Sequence, residues 1–240
     1  MSRSYLDLCK AFVSELGIAG GTGPSAVTGQ QGELANVVQW IADADLYVQN
    51  LWSDWKFLWT EGPAGQSLNA GMGVISSITD MQTEIEEGMV IHAGTVRAYR
   101  PKWMSYPDFR AQFKTRPKNN SSTPGYWTVR PDGIIEVSSN VTDATPWSLE
   151  YHKTPTRMTE NGSVSPIPTH FDRIILARAA VFYGTREDAP EIDTGFVAEY
   201  ADTLEKMESA YLPGQRNSRR SQNRGLPEPD FLGRGGYESR

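Results

Sequence analysis

The chain is poor in the residues that oxidising compartments and metal sites use. It has one cysteine, Cys9, so no intramolecular disulfide can form. That suits a protein made and used without oxidative crosslinking, as in a cytoplasm. No run of about 18 apolar residues occurs, which excludes a membrane-spanning helix, and the opening Met-Ser-Arg-Ser-Tyr-Leu-Asp lacks the apolar core of a signal peptide. Of three histidines, His92, His152 and His170, none lies in an H-x-H, H-E-x-x-H or C-x-x-C pattern. No metal and no other cofactor is expected.

The motifs that remain carry little chemistry. Gly21-Thr22-Gly23-Pro24-Ser25-Ala26 fits the loose G-x-G-x-x-A pattern, but that fingerprint works only between a strand and a helix. Here a helix precedes it and no phosphate-loop lysine follows, so the glycine-rich stretch 17–32 reads as a flexible connector. Cys9 falls on an apolar helical stripe, the place of a small buried hydrophobe rather than a nucleophile. Glu84, Glu86 and Glu87 read as a solvated loop, because paired acid and base work needs carboxylates across a cleft with one desolvated. Trp52, Trp55 and Trp59, with Phe57, read as a structural aromatic knot between helix and sheet. An enzyme is not expected.

What the sequence does contain is periodicity. Tyr5, Leu8, Cys9, Phe12, Val13 and Leu16 recur at helical spacing over 4–16, closed by Gly17. Leu34, Val37, Val38, Ile41, Val48, Leu51, Trp52 and Trp55 trace a second helix, over about 33–53. Helices over about 170–184, apolar all round, and 191–211, apolar on one face, follow Pro166 and Pro168. Between them, short β-branched and aromatic runs predict strands at 74–79, 88–99, 126–130, 133–138 and 147–153. The Arg130-Pro131-Asp132-Gly133 turn predicts a hairpin, polar enough to be peripheral, and 100–124 reads as a surface loop.

The fold class is therefore α+β. A bundle of about four helices (1–60 and 165–212) carries an inserted β-rich region (61–164) and an extended C-terminal arm (213–240). Leu8, Phe12, Val38, Ile41, Ile175, Phe182, Tyr200 and Leu204 are the expected bundle core.

The net charge is −6, but it is divided. Residues 213–240 hold six arginines and three acids, leaving the body strongly acidic. The arm buries too little to fold alone. Its Arg216, Arg219, Arg220 and Arg224, with the apolar anchors Leu226, Phe231 and Tyr237, suit docking into an acidic protein groove with ordering on binding.

The order of these pieces resembles the head-to-tail adaptor (connector) proteins of tailed bacteriophages, including the tail tubular A type. The matching stretches are SYLDLCKAFVSELGI, GELANVVQWIADADLYVQNLWSDWKFL, GYWTVRPDGIIEVSS, WSLEYHKTPTRM and IPTHFDRIILARAAVFY with the helix ending at Met207. The resemblance implies a virion protein of the neck, made in the host cytoplasm. It would form a homo-oligomeric ring of about twelve copies between the portal protein and a downstream tail or collar protein, with DNA passing through without sequence-specific binding. An acidic wall would let phosphate slide rather than stick. The alternative is a ligand- or carbohydrate-binding virion or tail module that uses the aromatic β region.

Overall fold

A computed structural model describes residues 3–213, apart from 63–65, 76, 94–96, 116 and 122. It is mixed α+β, with five α-helices and two sheets among the described residues.

Helix α1 (Tyr5–Leu16) starts at a capping box in which Ser4 Oγ accepts from the Asp7 amide and Asp7 accepts from the Ser4 amide. It stops at Gly17, whose φ of 66° suits a residue without Cβ. Helix α2 (Gly32–Asn50) buries Val37, Ile41, Ala44 and Val48. Helix α4 (Asp172–Glu187) buries Ile174, Ile175, Leu176, Ala177, Ala179 and Ala180, the nearly all-round apolar surface of a central helix. Helix α5 (Pro190–Tyr211) lies at the rim, with Met207 buried and Phe196, Tyr200, Leu204 and Tyr211 half-buried. These four helices feed one hydrophobic cluster. Leu8, Phe12, Ile41 and Ile175 are fully buried in it, whereas Val38, Phe182, Tyr200 and Leu204 only pack against it.

The β residues form a second cluster between two sheets. The first runs β1 (Trp59–Gly62), β9 (Thr145–Lys153), β4 (Met81–Ala93) and β5 (Arg97–Tyr99), with β2 (Ser67–Leu68) also on β9. The second runs β3 (Val74–Ile75), β8 (Ile135–Val137), β7 (Tyr126–Val129) and β6 (Lys102–Trp103). All pairs are antiparallel except β6 with β7. The chain enters this region on β1 and leaves it on β9, and the two are hydrogen-bonded neighbours, Trp59 opposite His152.

Several expectations need correction. The 100–124 stretch is not all loop: it holds helix α3 (Tyr106–Phe113), capped by Ser105 accepting from the Asp108 amide, with Pro107 in its first turn and Phe109 fully buried. The hairpin turn is present, with Gly133 at φ 80°, but its strands are not peripheral, since Trp127, Ile135 and Val137 are all fully buried. Glu84, Glu86 and Glu87 belong to strand β4, whose pairing with β9 shifts register between Glu84 and Met89. The stretch after Gly17 is anchored at points along its length: Ile18 and Val27 are buried and the Val27 amide donates to Asn161 Oδ1 at 2.7 Å. Finally, of the tryptophan knot only Trp55 is core, stacked on Phe57 at 5.1 Å. Trp52 and Trp59 are 41% and 48% exposed.

Candidate functional site

The segment leaving β9 is fastened to the helices by polar groups. Asp45 is fully buried on α2 and accepts from Ser165 Oγ at 2.5 Å and from Gln49 Nε2 at 2.7 Å. Gln49 also accepts from the Thr156 amide, and Ser165 Oγ from the Ile167 amide. Burial pushes the Asp45 carboxyl up to about 6, against the pull of both hydrogen bonds. Beside this knot Arg157 pairs with Asp43, and Tyr5 donates its amide to Ser163 O at 2.8 Å. Both carboxylate oxygens of Asp45 are thus engaged within the chain.

Arg173 on α4 bridges Glu15 of α1 and Glu199 of α5, which raises its guanidinium pKa further. It lines a cleft of about 490 Å³ together with Arg3, His170 and Asp172. Asp172 Oδ2 is buried there without a hydrogen bond among the described residues. Arg178, also on α4, lies over the rings of Tyr47, Phe182 and Tyr200 at 4.0, 4.6 and 5.4 Å. Burial pushes the Tyr200 hydroxyl up to about 12, Arg178 opposing. Both arginines hold helices together.

Cys9 is buried and its thiol is pushed up to about 12 by that burial, so it stays protonated at neutral pH. His152 is held low by burial, with its Nδ1 unpartnered among the described residues. Among the described residues no three His, Cys, Asp or Glu side chains are grouped to hold a metal, and no helix is long and apolar enough to cross a membrane.

Two charged surfaces lie on the β region. Glu136 of β8 is 3% exposed and has Arg130 at 3.7 Å and Lys114 at 3.2 Å, the latter at an angle that makes no hydrogen bond. Lys118 shares this setting. Its ammonium donates to Gly73 O at 3.1 Å, and burial lowers its pKa while Glu136 raises it. Arg110 is exposed one turn before Lys114 on α3. Residues 97–130 in fact hold eight lysines and arginines and one acid, Asp108. This basic run lies within a body that is acidic in sum.

The acidic surface is on the first sheet. Glu61 of β1 stands opposite Glu150 of β9. Trp59, on the same strand, donates its indole N–H to Glu150 at 3.3 Å. Exposed Glu86 and Glu87 lie in the irregular stretch beside Glu150, where a Cβ on Gly88 would stand 2.7 Å from Glu150 O. The expected partner-binding set, Arg216, Arg219, Arg220, Arg224, Leu226, Phe231 and Tyr237, lies outside the described residues.

The family model described as SU10 adaptor protein matches residues 3–226. No curated protein matches the chain.

Proposed function

The chain belongs to the SU10 adaptor protein family, and from that premise we propose that this structural phage adaptor acts as one member of a ring seated between the portal and the tail. The observation that carries this reading is the family match across nearly the whole chain. In it, the four helices of the first cluster form the ring's bundle, with the inserted β region, 61–164, meeting neighbours. The genome passes through the centre. The arm, 213–240, reaches from the bundle to an acidic groove on the portal or a neighbouring copy, with Phe231 as its main anchor. The resemblance to the tail tubular A type implies a ring of about twelve copies.

Two structural facts support a scaffold role. Buried polar groups on α2 and partly exposed ion pairs joining α1, α4 and α5 are used to fasten segments to one another. The charged groups of the β region, by contrast, are gathered on surfaces. The test is to mix the full chain with purified portal and weigh the product by native mass spectrometry. A stable complex holding many copies is the expected result. Absence of any portal-bound species, together with binding to a glycan array, would replace this reading with a carbohydrate-binding module built on exposed Trp59.

A further inference from the structure

The two charged surfaces stand on opposite sides of the β region. Glu136 lies between Ile135 and Val137, both fully buried in the cluster between the sheets. Alternation along a strand therefore sends Glu136 out through the far side of the second sheet. There it meets Lys114, Lys118 and Arg130. Glu150 likewise lies between buried Leu149 and Tyr151 of the same cluster. It leaves through the far side of the first sheet, beside Glu61.

Among the described residues, the cations of the basic side outnumber their acid partners, and Glu61 and Glu150 on the acidic side have no ion-pair partner. The basic side sets Arg110, Lys114, Lys118 and Arg130 against Glu136 and the Arg130-bound Asp132. Arg110 has no ion-pair partner among the described residues. On the acidic side, Glu61 and Glu150 are directly opposed across an antiparallel pair, an arrangement that costs stability. The outward positions of β1 and β9 offer no lysine or arginine to relieve it, only Trp59, Pro146, Ser148 and His152.

We propose that copies of this chain associate head to tail through the β region. The basic side, built on α3 and the β7–β8 hairpin, seats on the acidic outer face of β1 and β9 of the next copy. The proposal rests on the ring reading above and names its contact. Because the complementary surfaces point in opposite directions, a two-fold dimer would press like on like. A head-to-tail contact instead passes from copy to copy and closes into a ring when the rotation allows. Exposed Trp59 supplies an aromatic anchor within the acidic face. A nucleic-acid footprint explains the surfaces less well, since carboxylates sit inside the basic patch and phosphate has no use for the matching acidic face.

The test is charge reversal in the full chain, read by sedimentation at low and high salt, with thermal melts to confirm folding. Arg110→Glu and Glu61→Lys should each weaken self-association by about tenfold or more, and wild-type association should weaken with salt. The double variant, in which Glu at 110 of one copy meets Lys at 61 of the next, should recover it, as should an equal mixture of the two single variants. Rings that form unchanged with both single reversals would overturn this contact and leave the ring reading standing. A wild-type chain that forms no ring, alone or on the portal, would overturn both. If Arg110→Glu instead lost binding to a duplex DNA fragment while rings persisted, the patch would be a phosphate contact and the proposal would fall.

Discussion

The helical cluster and the β cluster use charge in opposite ways. Among the helices, charged side chains tie segments together: Arg173 joins α1, α4 and α5, Arg178 fills a box of aromatic rings, and buried Asp45 knots α2 to the segment returning from β9. In the β region the cluster between the sheets is apolar and the charge lies outside it, cations around buried Glu136 on one side and Glu61 facing Glu150 across a strand pair on the other. Internal pairs reward the monomer. A like-charge pair does not, so its presence is better explained by a neighbour than by the fold.

The comparison breaks first if the two interiors are not both essential. Phe12→Ala in the helical cluster and Trp127→Ala between the sheets each remove a fully buried ring. Each should cost about 3–5 kcal/mol, measured by urea unfolding. A single shared transition would mean that the clusters unfold as one unit; two transitions, with each variant shifting only one, would mean that they are energetically separate.

The next test sharpens the claim that the helical charges are internal. Asp45 has its carboxyl raised from 3.8 to about 6 in the folded state. The folded protein thus holds this proton more tightly than the unfolded chain. The stabilisation is fully present below the unfolded value and is lost as pH rises through the folded one. Asp45→Asn, which cannot ionise, should gain on the wild type between about pH 4 and pH 6, by about 3 kcal/mol at most. Urea unfolding of both proteins across that range checks it. A constant difference would show that Asp45 does not titrate there.

Smaller effects concern the β surfaces. Gly88→Ala would press a methyl against the Glu150 carbonyl at 2.7 Å, and should cost about 1–3 kcal/mol in thermal unfolding. It would also disturb the acidic face without changing its charge, so weaker self-association there would separate shape from charge. Ser105→Ala removes the α3 cap and should cost about 1 kcal/mol. Hydrogen exchange should quicken in 106–113 while the helical cluster keeps its protection.

The long helices were legible because their apolar residues repeat at helical spacing and their ends carry signals, Ser4 with Asp7 at one end of α1 and Gly17 at the other. Helix α3 escaped because it is short and buries Phe109 alone, although Ser105, Pro107 and Asp108 formed a readable start. The Asp45 knot also left a trace, a carboxylate and an amide four residues apart on the stripe of Ile41 and Val48. The acidic face left none. It joins β1 to β9 across most of the β region, and pairing at such separation is not written in any local pattern. The run of cations over 97–130 was plain in the sequence. It gained meaning only once alternation placed Glu136 and Glu150 on opposite sides.

The neighbouring positions of β1 and β9 have one more consequence. Adjacent strands lie about 5 Å apart, so the chain departs for the β region and comes back at nearly the same point. Cutting after Glu61 and resuming at Glu150 would leave two ends that a tight turn of about two residues can rejoin. In engineering terms the β region is a cassette plugged into a single socket. A shortened chain made this way should fold its helices alone, and a β region from a related adaptor should fit the same socket without redesign of the helices.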